Sequence, residues 1–485
     1  CNSQANARRR RKKQMTRRNR IHFIGIGGVG MSGLASIFLK KGYKISGSDL
    51  NSNDRTEDLK ALGAKIYVGH NARNLPSDVG RVVVSTAIAS DNPELVAAHR
   101  RGLPTVHRSD LLAELFLDSN CGIAVAGCHG KTTVSSMIAT VLKVAGKDPT
   151  CVIGGHVAAL KGNSSAGNTN LLVAEADESD ATFLKYFPQY GVITNIDNDH
   201  MDHYSSLEAI IKAFELFASH ISQEGALFLC ADDPITRNLN VPEKLRTITY
   251  GINTASDLMA ENISLHPFGS SFDLLVGGQN YGRFHLEVPG RHNVLNSLPV
   301  IGFCLEVGLA LETIQTGFAV FHGAGRRFEI KGQVEGVTVI DDYGHHPNEI
   351  KATLEAATSL GARRVVVVFQ PHRYSRTLFL SQEFGRCFDN CDKLFITDIY
   401  AASEKPIPGV TSKVILDHMP VAHRRKVKMV KNVEDVKYHL LNYVEPGDVI
   451  FTIGAGSITR IGPEILESMK ARSLSYSAIP VSAAV

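Results

Sequence analysis

The chain has 485 residues, 44% of them hydrophobic, with a formal net charge of +4. At roughly 100–200 residues per domain this supports about three domains with ordinary cores, and no run of about 18 uninterrupted apolar residues marks a membrane span. Much of the positive excess lies in ARRRRKKQMTRRNR, a solvated charge run without the apolar stretch of a secretory signal. Residues 1–20 are therefore expected to be a disordered, non-catalytic extension, and no nucleic-acid or membrane partner is expected. The eight cysteines (Cys1, Cys121, Cys128, Cys151, Cys230, Cys304, Cys387 and Cys391) include no C-x-x-C pair. They read as reduced thiols of a cytoplasmic protein.

From Ile21 the apolar strand in IHFIGIGG enters a glycine turn, followed by the helix VGMSGLASIFLKKG and the strand YKISGSD. A strand at Val82–Thr86 and helices in NPELVAAHRRG and SDLLAELF continue the alternation, which predicts a parallel sheet covered by helices. A second alternation starts at Gly122, with GIAVAG as a buried strand and KTTVSSMIATVLKVAG as an amphipathic helix closed by Gly146. NLLVAEADESD, YGVITNIDNDH, the helix LEAIIKAFELFASHI and the strand ALFLCADDP follow. Between Thr247 and Pro289 short strands with glycine turns take over, and the helical pair NVLNSLPVIGFCLEVG and LETIQTGFAVF closes the segment.

A third alternation follows Gly325: strand VTVIDDYG, helix NEIKATLEAATSLG, strand RRVVVVFQP, a helix near SQEFGRCF, strand KLFITDIY, helix VEDVKYHLLNY and strand DVIFTIGAG. The last stretch, SLSYSAIPVSAAV (473–485), lacks periodicity and reads as a loose tail. The fold class is α/β, three units in series.

Two glycine loops carry the chemistry. GIGGVGMSGLA satisfies G-x-G-x-x-G through Gly25, Gly27 and Gly30, with Asp49 ending the next strand about 20 residues on, as a dinucleotide site has it. An NAD-dependent dehydrogenase is one reading of that loop; a grip on the pyrophosphate of a nucleotide-linked sugar is another. The second loop, AGCHGKTT, is a phosphate-binding loop shortened by two residues, with Val125 where the first glycine usually stands. Strand, loop and helix aim backbone N–H groups at an anion; Lys131 adds charge for the outer phosphates, and Thr132 is placed to ligate Mg²⁺. A triphosphate site has no place in hydride transfer, which counts against the dehydrogenase. A magnesium ion there needs a carboxylate. Glu175, Asp177, Glu178 and Asp180 compete, and Glu175 is preferred because it ends the apolar run at the carboxyl edge of the sheet. His200 follows the next strand, with a metal or substrate role expected.

GIGGVGMSGLA, SGSD, VVVSTAI with NPE, GCHGKTT, VAEADESD, TNIDNDHMDHY, PGRHNVLNSL, GAGRRFE, DDYGHHPNE, FQPHRYSRT and TIGAG appear in that order. From Ile21 to Arg472 the chain resembles the Mur ligases, nearest to their alanine-adding branch. The resemblance implies three domains: a Rossmann-like UDP-sugar domain over 21–118, a central P-loop ATPase domain over 119–325, and a Rossmann-like C-terminal ligase domain over 326–472 that closes over the site. It implies an ATP- and Mg²⁺-dependent enzyme, monomer or homodimer, that joins L-alanine to UDP-N-acetylmuramate. Gly25, Gly27, Gly28 and Gly30 would hold the UDP pyrophosphate, with Asp49, His70 and Ser85 near the uridine or sugar. Gly127, His129, Gly130, Lys131, Thr132 and Thr133 would form the phosphate loop, and Thr132, Glu175 and His200 would bind magnesium. His292, Asn293 and Asn296 resemble an adenine-binding set, Arg327 an arginine that reaches the γ-phosphate, and Asp342 a nucleotide contact. His345, Arg373 and Arg376 resemble residues near the muramoyl carboxylate and the incoming alanine.

Two departures stand out. Cys128 replaces the family's more usual Thr or Ser, and the place of the carbamylated lysine of later pathway ligases falls near Phe214 or Glu215, which fits the alanine-adding branch. The base that deprotonates the amine stays open between His200 and His345. The rivals are a ligase recycling whole tripeptide onto the same sugar nucleotide, the dehydrogenase, and a non-catalytic nucleotide sensor.

Overall fold

The computed structural model describes residues 19–199 and 203–477. Most of the expected basic extension and the end of the expected tail lie outside these residues. The chain divides into two compact units: one holds the chain up to Ile196 with Ile210–Tyr250 and Pro299–Gly317, the other Asp197–Ala209, Gly251–Leu298 and the chain from Phe318 on.

In the first unit, β1 (Arg20–Ile24), β2 (Lys44–Asp49), β3 (Lys65–Val68), β4 (Arg81–Val84) and β5 (Thr105–His107) form a parallel sheet in the order β3-β2-β1-β4-β5. Chain direction across the sheet reverses between β1 and β4, and ligands of open α/β sheets bind at that point. The glycine turn after β1 sits there. Ile24, Val82, Leu95 and Ala98 form part of the core on one face.

A second sheet of this unit contains β6 (Cys121–Ala126), β7 (Thr150–Val157), β8 (Gly162–Ser165), β9 (Leu171–Glu175), β10 (Tyr190–Ile193), β11 (Ala226–Cys230) and β12 (Thr247–Gly251). Their order is β12-β11-β10-β6-β9-β7-β8, antiparallel only between β7 and β8. β6 lies centrally, so the loop leaving it is flanked by the carboxyl ends of β9 and β10. The β7–β8 hairpin was not foreseen; VIGGHV interrupts its apolar run with glycines. The two sheets share a unit because the helix Val29–Lys40 packs on that hairpin: a Cβ on Gly33 would meet Ser164 Oγ at 2.9 Å, and Asn163 Nδ2 donates to the Val29 carbonyl at 3.2 Å.

The second unit contains an antiparallel meander, β13 (Leu258–His266), β14 (Gly269–Val276) and β15 (Gln279–Leu286). Its other sheet comprises β16 (Glu329–Val334), β17 (Val337–Asp342), β18 (Arg364–Phe369), β19 (Lys393–Ile396), β20 (Val427–Met429) and β21 (Asp448–Ile453), in the order β16-β17-β21-β18-β19-β20. Only β16 is antiparallel. The unbroken run RVVVVF in β18 reflects burial on both faces: Val365, Val367 and Phe369 enter one core and Val366 and Val368 the other. The terminal helix runs Ile461–Ser477, so residues 473–477, expected in a loose tail, continue a helix begun upstream.

The helix Leu207–Ser219 buries Phe214 and Phe217 against Phe183, with ring centroids 5.3 and 5.2 Å apart. Phe214→Ala should cost about 3–5 kcal/mol, as deletion of a buried aromatic ring does. Urea denaturation measures it, and a loss under about 1 kcal/mol would mean the site collapses without a cavity.

Candidate active site

The phosphate loop is fixed from beneath by the strand end beside it. Asn195, just beyond β10, accepts the Cys128 N–H on its carbonyl (3.1 Å) and the His129 N–H on Oδ1 (2.8 Å), and its Nδ2 donates to the His129 carbonyl (3.0 Å). Thr194 Oγ1 donates to the same carbonyl at 2.5 Å. This strut demands glycine at 127, where φ is +126° and a Cβ would lie 2.0 Å from Thr194 Oγ1. The Cys128 and His129 amides are thereby taken up by Asn195, whereas the first-turn amides of the helix Lys131–Val144 have no partner in Asn195. Gly130 caps that helix in the left-handed region (φ 85°) without a side-chain cap, which leaves the amides available to a ligand. Thr132 and Thr133 lie half-buried in this turn.

Lys131 is folded back onto the loop. Its ammonium donates to the Gly127 and Cys128 carbonyls and to Glu178, whose carboxylate oxygens lie 2.9 and 2.8 Å away. Burial opposes the charge, but Glu178 and Asp177 outweigh it and hold the lysine pKa above its ordinary value. Of the four acids considered from the sequence, Glu178 is therefore the partner of Lys131. Glu175 ends β9 and accepts from Gly154 N–H (2.8 Å) and Ser135 Oγ (3.2 Å), which aims its carboxylate at the helix N-terminus. Asp180 caps a following turn by accepting the Thr182 N–H at 3.1 Å. His200 lies outside the described residues.

At the first glycine loop, Gly25 has φ +78° and Asp49 Oδ2 accepts the Gly27 N–H at 2.8 Å, so Asp49 braces the loop. Gly28 is the uncapped N-cap of the helix Val29–Lys40. His70 Nδ1 pairs with Ser48 Oγ at 2.9 Å, and Ser85, just past β4, turns the chain by accepting the Ile88 N–H at 3.1 Å. Beneath them lies a hub that sequence reasoning passed over. Glu94, fully buried, accepts from His22 Nε2 (2.8 Å), Ser48 Oγ (2.7 Å), Asn71 N–H (3.0 Å) and Asn74 Nδ2 (2.8 Å). Burial alone would raise its pKa; these hydrogen bonds overcome that and hold it below the usual value. Through Ser48 it orients His70.

The remaining sequence-derived residues lie in the second unit. Asn293 Nδ2 donates to the Pro289 carbonyl at 2.7 Å and Asn296 Nδ2 approaches Asn293 Oδ1 at 3.5 Å, so Asn293 caps its own turn. Arg327 donates to Glu349 Oε1 at 3.1 Å and lies over the Tyr343 ring. Asp342 accepts the Phe328 and Gly344 N–H groups, both at 2.8 Å; burial, only partly offset by Arg327, raises its pKa to about 6. His345 donates its backbone N–H to Glu349 Oε2 at 3.0 Å, and its ring lies edge-on to Tyr343 and His372. Arg376 is buried and paired with Asp199, Nη2 to Oδ1 3.0 Å. It thus holds the residue next to His200. Arg373 adopts φ +70° and its N–H donates to the Tyr400 carbonyl at 2.8 Å. Glu349 and Asp199, which organise these groups, lie within DDYGHHPNE and TNIDNDHMDHY but were assigned no role there.

Burial lowers His292 to about 4, His345 to about 3 and His372 to about 4, so all three are neutral near pH 7. A depressed histidine pKa gives stability that is complete above the unfolded value of about 6.5 and is lost as pH falls toward the folded value. Asp342 acts with the opposite sign between about 4 and 6. His345→Gln should therefore be destabilised less, relative to the parent protein, at pH 5 than at pH 7.5. Thermal melts at the two values decide, and an unchanged gap would mean that His345 is not held neutral.

Three family models match the chain: the Mur ligase family catalytic domain over residues 20–119, the Mur ligase middle domain over 125–304, and the Mur ligase glutamate ligase domain over 326–456. The chain is 46% identical over 450 residues to a UDP-N-acetylmuramate--L-alanine ligase of Syntrophus aciditrophicus, covering 93% of each. Among solved structures it is similar to a UDP-N-acetylmuramate-alanine ligase of Thermotoga maritima, with TM-score 0.79 and 30% identity over 93% of this chain and 99% of that one. A murein peptide ligase of Psychrobacter arcticus shares the fold, with TM-score 0.68 and 24% identity over 93% and 98%. With glycine loops at two sheet edges and all three models matched in order, the chain belongs to the Mur ligase family.

Proposed function

We propose that the chain joins L-alanine to the lactyl carboxylate of UDP-N-acetylmuramate, converting ATP to ADP and phosphate, in the cytoplasmic assembly of peptidoglycan precursors. The observation that carries this is Lys131: an ammonium held on a short glycine loop at a helix N-terminus, beside Glu175 and Glu178. The name printed for the 46% identical relative supports the choice of substrates. The six buried cysteines among the described residues fit a reducing compartment.

A carboxylate does not accept an amine until one oxygen becomes a leaving group. In the proposed reaction a lactyl oxygen attacks the γ-phosphorus, the bond to the β-bridging oxygen breaks, and ADP leaves an acyl phosphate. The alanine nitrogen then attacks the acyl carbon, and the tetrahedral intermediate collapses with loss of phosphate and the amine proton. Two anions meet in the first step, so fixed positive charge must be present beforehand. Lys131 supplies it by exchanging Glu178 for a phosphate oxygen, and Arg327 serves the γ-phosphate, while His292, Asn293, Asn296 and Asp342 bind the nucleoside. Gly25 to Gly30 grip the sugar nucleotide's pyrophosphate, with Asp49, His70 and Ser85 beside it. Arg373, Arg376 and His345 attend the carboxylate and the incoming amine. Thr132 and Glu175 offer hard oxygen donors that suit magnesium, to which the resemblance would add His200 as a nitrogen donor, and the ion when bound would offset phosphate charge. The acyl phosphate needs water excluded during its lifetime.

Lys131→Ala should abolish turnover with the fold intact by circular dichroism. If more than about a tenth of kcat survives, a barrier change under roughly 1.4 kcal/mol, Lys131 is not a phosphate ligand. The tripeptide-recycling alternative is separated in the same phosphate-release assay: with UDP-N-acetylmuramate and ATP, L-alanine should elicit phosphate and the tripeptide should not.

A further inference from the structure

Arg108 opens the helix Arg108–Asp118, which leaves β5 at the carboxyl edge of the first sheet. His107 and Asp110 close a capping box around it, and Lys185 donates to Asp110 Oδ1 at 2.6 Å, so the backbone is fixed. The guanidinium reaches the glycine loop: a Cβ on Gly30 would lie 3.0 Å from Arg108 Nη1. It also stands at an ion-pair distance of 3.7 Å from Asp177 Oδ2, both side chains part-exposed at 31% and 44%. A cation beside the N-terminus of the helix Val29–Lys40, and at the N-terminus of its own, opposes both helix dipoles unless an anion joins it. No acid lies in the first turn of the helix Val29–Lys40. Asp177 is also a carboxylate that Lys131 stabilises.

We propose that Arg108 is a direct ligand of the sugar nucleotide's pyrophosphate and that Asp177 competes with that pyrophosphate for the same guanidinium, so that this one arginine links the sugar-nucleotide loop to the acids around Lys131. The inference rests on the assignment of the Gly25–Gly30 loop to a UDP-sugar. A side chain at position 30 would crowd the guanidinium, whose Nη1 would have to give by a few tenths of an ångström. On binding, the Arg108–Asp177 pair opens and Asp177 is left to Lys131.

Calorimetric titration of the full chain with UDP, without ATP, tests this. Arg108→Ala should weaken UDP about 10- to 100-fold, the usual weight of a hydrogen bond to a charged group, with Arg108→Lys between it and the parent. Asp177→Asn should tighten UDP about two- to fivefold, as release from an exposed ion pair allows, and should have no effect in the Arg108→Ala background. If the parent binds UDP and Arg108→Ala binds it equally well, Arg108 is no ligand; if Asp177→Asn leaves affinity unchanged or lowers it, there is no competition. A parent chain that fails to bind UDP overturns the sugar-nucleotide assignment together with this inference. Should Arg108→Ala prove unstable, Asp177→Asn and Arg108→Lys still decide.

Discussion

The contact on which the first unit's chemistry depends is the strut from Asn195 and Thr194 to the phosphate loop. A backbone loop that binds an anion must hold its amides in one orientation before the ligand arrives, because reorganising them on binding would offset the gain. Here the orientation comes from the end of β10, which accepts two loop amides and donates twice to one loop carbonyl. The cost is sequence freedom. Gly127 can carry no side chain, and the Cys128 and His129 amides are withdrawn from ligand binding. A loop two residues shorter than the common form is therefore not a weaker version of it; it is clamped by its neighbour, which leaves the helix turn that starts at Lys131 as the uncapped set of amides.

Beside the two glycine loops, charge is arranged so that the cation already has an anion. Lys131 sits on Glu178 and two carbonyls, and Arg108 stands near Asp177. An isolated buried ammonium would tend to lose its proton, whereas the Glu178 pair keeps it charged and in place. A phosphate that took the place of Glu178 would exchange one anion for another and would not bury a new charge. Such exchange lets a site with strong positive groups stay folded when empty, and it makes the displaced carboxylate part of the affinity.

Much of this was legible in the sequence where one residue type has one physical reason. The glycine turn before Lys131, the apolar runs of β6, β9 and β18, and the placement of Lys131 at a helix start all follow from local rules. The β7–β8 hairpin did not, since VIGGHV lacks a continuous apolar pattern, and neither did the run of the last helix through residues 473–477, which continues from a start at Ile461. The supporting polar residues were hidden for a different reason. Glu94, Asn195, Glu349 and Asp199 act through partners 72, 66, 22 and 177 positions away, and no spacing rule reaches that far. NPE, TNIDNDHMDHY and DDYGHHPNE displayed all four without saying what they would hold.

A common construction links the anion loops of the first unit. Asp49 ends β2 and accepts the Gly27 amide; Glu175 ends β9 and accepts the Gly154 amide. In each case a carboxylate at the carboxyl edge of the sheet fixes glycine backbone beside a helix N-terminus. The two sites still differ in the role left to that carboxylate. Asp49 faces a loop that carries no lysine, so it acts as a brace and a polar contact, and the positive charge has to come from outside the motif, which is the place Arg108 fills. Glu175 stands beside a loop that carries its own ammonium, which is paired with Glu178, while Glu175 itself accepts from Gly154 and Ser135. The same strand-end geometry recurs in both sheets, and the cation near it comes from a different element in each: Arg108 from the helix after β5 in one, Lys131 from the helix after β6 in the other.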